Sequence, residues 1–172
     1  MTALDEIVKA ISSAKLPPVE QWNPAHCGTI DIKILRDGSW LHEGQAINRQ
    51  AMVRMFSNIL VFEGGEYFLV TPVEKMKIAV ESTPFVIVDE ELVDGAWVLT
   101  NNLGDKQLLD AHHPLSIEND DCPVVTWRSN LLARVSSNVM YRLQTFALSH
   151  NGLEGDQLWL TSGKSRFLLG RL

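Results

Sequence analysis

The feature that most constrains this fold is a repetition within the chain. Sliding residues 136–154 back by 88 places Ser136 on Asn48, Met140 on Met52, Arg142 on Arg54, Leu148 on Leu60, Gly152 on Gly64 and Glu154 on Glu66. With two residues added in the turn, an offset of 90 lays Leu158-Trp-Leu-Thr-Ser162 over Phe68-Leu-Val-Thr-Pro72. A cap, a helix face, a terminating Gly and an apolar run ending in Thr recur together. Two such units, each too small for its own core, are expected to pack face to face. A groove between them is then the natural place for a ligand.

The fuller copy lies first, over residues 37–72. Ile30, Ile32 and Ile34 alternate with polar residues, the period of a half-buried strand. Asp37-Gly38 is a hairpin-turn dipeptide, and Trp40 and His42 open the return strand, which Gly44 ends. Asn48 is expected to cap a helix over 48–60, with Met52, Phe56 and Ile59 on one face. Gly64-Gly65 is expected to terminate it as a left-handed C-cap. Tyr67 to Thr71 is a run of strand length closed by Pro72, and Met76, Ile78 and Val80 alternate along a further strand.

The flanking segments read as follows. Thr2 and Asp5 have capping-box spacing, and Leu4, Ile7, Val8 and Ile11 form one helical stripe. Residues 16–24 form a Pro-stiffened arm that should not be helical, because Pro removes backbone donors and fixes φ. After Pro84 the pattern is mainly strand, with Asp89-Glu90-Glu91 and residues 118–121 expected as solvated turns. Residues 130–150 read as one helix broken near Ser136-Ser137, stopped by Asn151-Gly152. Two strands around a Ser-Gly-Lys-Ser turn end the chain. The organisation expected is an N-terminal helix and arm over 1–24, an α+β half over 25–83 and a second half over 84–172. The fold class is α+β, two similar β-rich halves, each with a helix packed on an antiparallel sheet.

Composition removes several function classes. Of 172 residues, 45% are apolar, enough for a core, and the net charge is −6. A nucleic-acid polymer needs a local excess of Lys and Arg, and none is visible. No apolar run approaches the ~20 residues of a membrane span. Two Cys, Cys27 and Cys122, make no disulfide framework, so a reducing cytoplasm is the default compartment. Gly163-Lys-Ser165 lacks the earlier Gly of a phosphate-binding loop, since position 158 is Leu. His26-Cys27 and His112-His113 do not supply four ligands at zinc spacing. No catalytic set, metal or cofactor is expected, and an enzyme working through Cys27 stays open as an alternative.

Five Trp is generous for this length. Trp40, Trp97, Trp127 and Trp159 fall in expected strands, where core packing explains them, but a Trp at a groove edge could stack on a ring. Arg49, Lys75, Lys77 and Arg128 could hold a phosphate.

Several strings resemble a bacterial family of unknown function. They are Pro17-Pro-Val-x-x-Trp-Asn-Pro24, Cys27-Gly-x-Ile-Asp31, Arg36-Asp-Gly-x-Trp40, Val53-Arg-x-Phe-Ser57, Val70-Thr-Pro-Val-Glu-Lys75, and Val80-Glu81 through Pro84-Phe85. The likeness thins after Ser116, where Ser137-Asn-Val-Met-Tyr141 stands in place of an Arg-Pro-Val-aromatic-Tyr opening. The resemblance implies a duplicated core, a C-terminal half superficially like a pleckstrin-homology fold, and a nucleotide-like ligand held between the halves, with a role in signal transduction. On this reading Trp40, Arg49, Thr71, Glu74, Lys75 and Arg128 border the ligand. The competing reading is a protein-interaction adaptor, with the N-terminal helix and arm forming a homodimer surface.

Overall fold

The computed structural model describes residues 2–13, 15–118 and 121–172. Asn119 and Asp120, from the polar turn expected at 118–121, lie outside the described residues. The chain divides into two units. Lys15–Pro84 form one, and α1 (Ala3–Ser13) groups with Phe85–Leu172 in the other.

The N-terminal unit contains β1 (His26–Ile34), β2 (Trp40–His42), β3 (Gln45–Ala46), α2 (Gln50–Asn58), β4 (Leu60–Glu63), β5 (Glu66–Val70) and β6 (Glu74–Val80). Its six-stranded sheet runs β3-β2-β1-β6-β5-β4. All neighbours are antiparallel except β1 and β6, which pair parallel. Two three-stranded meanders, one on each side of α2, are thus joined through their first and last strands. Ile32, Ile34, Trp40, Leu60, Leu69 and Ile78 are buried in this unit. Each such aliphatic side chain contributes roughly 1.5–3 kcal/mol.

The C-terminal unit contains β7 (Phe85–Val93), β8 (Ala96–Asn101), β9 (Lys106–Leu108), β10 (Leu115–Glu118), β11 (Cys122–Arg128), β12 (Leu131–Val135), α3 (Ser137–Ser149), β13 (Leu153–Glu154), β14 (Gln157–Ser162) and β15 (Ser165–Arg171). One sheet runs β10-β11-β12-β7-β8-β9, again two meanders joined by a parallel pair, β12 with β7. A second sheet is the meander β13-β14-β15.

The repeat now has a structural form. A meander, a helix and a second meander occur as β1–β3, α2, β4–β6 and again as β10–β12, α3, β13–β15. In the first copy β6 pairs with β1, and in the second β15 runs beside β10. The meander β7–β9 stands between the two copies in sequence.

Several local expectations change. Gly64-Gly65 does not cap α2, which has already ended at Asn58. Both residues have positive φ, 61° and 81°, and form the two-residue turn between Glu63 and Glu66. Positive φ at both positions is what a type I′ hairpin needs. The cap position of α2 is Arg49, not Asn48, and it makes no side-chain cap hydrogen bond. The β1–β2 connection spans residues 35–39 rather than a two-residue Asp-Gly turn, with Ser39 N donating to Asp37 Oδ1 at 2.9 Å. Asp89-Glu90-Glu91 is no turn but the middle of β7. The reversal comes at Asp94-Gly95, and Glu90 is paired with Arg142 on α3. Residues 131–135 are strand, with Leu131, Ala133 and Val135 buried in alternation. The arm carries one 3-10 turn at Val19–Gln21, closed by Trp22 N donating to Val19 O at 3.2 Å.

The capping box of α1 forms as expected. Thr2 N donates to Asp5 Oδ2 at 3.0 Å, and Asp5 N donates to Thr2 Oγ1 at 3.1 Å. The Thr2 backbone N–H first, and then the Thr2 hydroxyl, hold the Asp5 carboxyl below its ordinary 3.8. No residue of α1 is fully buried. Among the described residues no helix is long and apolar enough to cross a membrane.

Candidate functional site

A cleft of about 220 Å³ opens in the C-terminal unit where α3 ends and turns into β13. Phe146, His150, Gly152, Glu154, Trp159 and Arg166 carry its chemistry. Phe146 in the last turn of α3 and His150 at its C-cap are four residues apart, so their side chains lie on one side of the helix end. Their rings stack with centroids 3.8 Å apart and planes 9° from parallel. Beneath them Trp97 meets Phe146 edge-on at 4.9 Å. Trp97 is in turn fixed by its backbone N–H, which donates to the buried Ser162 Oγ at 2.8 Å.

His150 Nδ1 lies 2.9 Å from the Phe146 carbonyl oxygen. A carbonyl can only accept, so the proton sits on Nδ1, and Nε2 of the neutral ring is left as an acceptor. The opposite wall comes from the meander β13–β15. Leu158, Leu160 and Ser162 point inward and are buried, which turns Trp159 to the other face. Thr161 pairs with Arg166 in the β14–β15 register, so Arg166 lies diagonally across from Trp159. Its guanidinium sits 4.7 Å from the indole centroid and donates through one terminal nitrogen to Glu154 Oε1 at 2.6 Å.

The corner between the two walls is set by Gly152. Its N–H donates to Ala147 O at 2.7 Å, and its carbonyl accepts from Trp159 N at 2.8 Å. A Cβ there would lie 2.3 Å from Trp159 O and 2.7 Å from Ala147 O. The left-handed residue is its neighbour Asn151, φ 61°. Gly152 is therefore required by close backbone approach and not by its own φ.

The residues expected to border a ligand do not line this cleft. Trp40 is a core residue, 3% exposed, facing the Phe56 ring with centroids 6.1 Å apart. Arg49 is exposed at the start of α2. Thr71, Glu74 and Lys75 do come together, in the turn from β5 to β6. Thr71 Oγ1 accepts from Glu74 N at 3.0 Å and from Val73 N at 3.3 Å, which fixes that turn. Lys75 is paired with Glu63 at 2.6 Å and lies over the Phe68 ring at 4.6 Å. Lys77 pairs with Glu66 at 2.7 Å in the same way. These two cations therefore answer cross-strand carboxylates. Arg128, in the C-terminal unit, lies 5.5 Å from the Phe85 ring centroid. Burial lowers its pKa, and the charge of Asp105 opposes that shift.

The other chemically suggestive residues are also placed. Cys27 is exposed on β1, opposite Lys75 in the parallel register. His113 Nδ1 is 2.8 Å from Asp110 Oδ1, which also accepts the backbone N–H groups of His112 and His113. That carboxylate thereby organises a turn. Gly163 and Lys164 form the β14–β15 turn. Among the described residues no group of His, Cys, Asp and Glu could hold a metal ion.

Comparison with known proteins bears on the whole chain. Residues 17–83 match the N-terminal domain model of a domain of unknown function, DUF1285, and residues 84–169 match the C-terminal domain model of the same family. A solved DUF1285 family protein from Silicibacter pomeroyi DSS-3 is similar at 35% identity and TM-score 0.82, covering 100% of this chain and 97% of that one. Another, from Shewanella baltica OS155, is similar at 26% identity and TM-score 0.54, covering 64% and 87%. Comparison with curated proteins gives no match. With both domain models matched and a full-length structural relative, the chain belongs to the DUF1285 family, whose function is unknown.

Proposed function

We propose that this protein binds a small molecule in the cleft of its C-terminal unit and serves as a sensor of that molecule. The observation that carries the reading is the build of the cleft. Two aromatic walls, Phe146–His150 and Trp159–Arg166, are each held by their own hydrogen bond or ion pair. They flank a space of about 220 Å³. Walls fixed before binding lower the ordering cost a ligand must meet. The space is below the ~300–1,000 Å³ of pockets that enclose drug-sized molecules. It suits a ring-sized group, so of a nucleotide-like ligand only the base would be enclosed.

The experiment is a thermal-shift screen of small heterocycles and metabolites on the full chain. A ligand present at 100 times its dissociation constant adds about 2.7 kcal/mol. Replacing Trp159 by Ala should erase the shift without changing the far-UV spectrum. A hit whose stabilisation survives that substitution unchanged would place the ligand outside the cleft and defeat the reading.

A further inference from the structure

We infer that the cleft selects a planar nitrogen base of amidinium type, about one ring in size, over an isosteric carboxylate. The inference rests on the cleft being a ligand site, as proposed above, and concerns which chemistry it accepts.

The argument is a balance of charge and of hydrogen-bonding roles. The only full charges on the residues that line the cleft as described are Glu154 and Arg166, and they neutralise each other at 2.6 Å. What remains is set by the backbone and by His150. The cleft lies at the C-terminal end of α3, whose dipole leaves a residual negative potential there, although the Phe146 and Ala147 carbonyls already accept from the His150 ring and from the His150 and Gly152 backbone N–H groups. His150 donates its Nδ1–H to its own helix, so the neutral ring offers the cleft an acceptor, Nε2. Glu154 uses Oε1 on Arg166, and a carboxylate has further lone pairs to offer.

The walls agree with that balance. Phe146, His150 and Trp159 present aromatic faces or edges, and ring faces attract cations. Arg166 over Trp159 already shows this preference inside the molecule. With Arg166 already answered by Glu154, an incoming carboxylate finds no uncompensated cation in the cleft and meets the helix C-terminus and the His150 lone pair. A planar N–C–N group meets acceptors and can stack. The space corresponds to about seven water volumes at ~30 Å³ each, room for one ring and its substituent.

Benzamidine and benzoate, which share shape and size but differ in charge and in donors, are the probes. Calorimetric titration of the full chain should give benzamidine a dissociation constant at least tenfold lower than that of benzoate. Trp159→Ala should weaken benzamidine at least tenfold. Glu154→Gln, at an exposed position, leaves Arg166 without its counter-charge and should reverse the preference toward benzoate. Benzoate binding as tightly as benzamidine to the wild type, with Trp159→Ala weakening both, overturns the assignment of ligand class and leaves the cleft as a site. Benzamidine binding that Trp159→Ala leaves unchanged overturns the inference by locating the base elsewhere. Failure of both probes to bind at millimolar concentration overturns the inference, while the small-ligand reading is decided separately by the thermal-shift screen and its Trp159→Ala control.

Discussion

Replacing Gly152 by Ala should be among the most damaging small changes available in the C-terminal unit. The added Cβ falls 2.3 Å from Trp159 O and 2.7 Å from Ala147 O. Ordinary C···O approach is about 3.3 Å, so the overlap is about 1 Å on one oxygen and somewhat less on the other. Neither oxygen can swing away, since both are main-chain atoms. The same two residues exchange hydrogen bonds with Gly152, Ala147 through that carbonyl at 2.7 Å and Trp159 through its backbone N–H at 2.8 Å. Relieving the overlap means lengthening both. Overpacking strain of about 1–3 kcal/mol and two hydrogen bonds at about 1 kcal/mol each give a loss of roughly 3–5 kcal/mol. Gly163→Ala is the control. Gly163 has φ 59° with nothing within 4 Å of a built Cβ, so only the left-handed cost of about 1–2 kcal/mol applies. Urea unfolding followed by far-UV circular dichroism reads both. The reasoning is refuted if Gly152→Ala costs no more than Gly163→Ala.

Three further outcomes are expected. Ser162→Ala removes the acceptor of the buried Trp97 N–H and should cost about 1–3 kcal/mol, measured as a lowered urea midpoint. The Asp5 carboxyl, held below 3.8 first by the Thr2 backbone N–H and then by its hydroxyl, supports α1 at neutral pH, and that support fades as pH falls through its lowered value. Carbon-detected NMR titration should show the depressed midpoint, and Thr2→Ala should raise it part of the way toward 3.8, since the backbone donor remains; an unchanged midpoint in the variant would disprove the hold of the Thr2 hydroxyl on the carboxylate. A synthetic peptide of residues 2–13 should be largely unstructured by circular dichroism, because it falls at or below the ~12–15 residues an isolated helix needs. Strong helicity in the peptide would show that α1 forms without the body of the protein.

Much of the fold was legible because its local signals agree with one another. The Ile30-Ile32-Ile34 alternation, the Thr2–Asp5 box and the 163–165 turn all appear where residue chemistry puts them. The repeat was legible too, although its unit is larger than the helix and strand first matched. The misreadings share a physical cause. Residues 131–135, Leu-Leu-Ala-Arg-Val, favour helix by propensity, yet they pair with β11 on one side and β7 on the other. Tertiary pairing outweighs propensity there. Asp89-Glu90-Glu91 looks like a solvated turn, but Glu90 is held by Arg142 from α3, a partner 52 residues away.

The cleft was missed because its walls meet only through folding. Phe146 and His150 come from a helix end, and Trp159 and Arg166 from adjacent strands. One signal was present. In the alternation of 157–162, Leu158, Leu160 and Ser162 take the inward phase, so Trp159 occupies the outward phase with Gln157 and Thr161. A Trp in the polar phase of a strand requires something to cover it. Trp40, by contrast, lies in the core of its own unit, and Lys75 lies in an ion pair with Glu63.

The measurement that bears most directly on the small-ligand reading is a two-dimensional NMR titration of the five indole N–H signals with a bound fragment. The account predicts a saturable shift of the Trp159 signal, a smaller one at Trp97 through Phe146, and none at Trp40, which is buried in the other unit. Saturable shifts at Trp40 with Trp159 unmoved would contradict it.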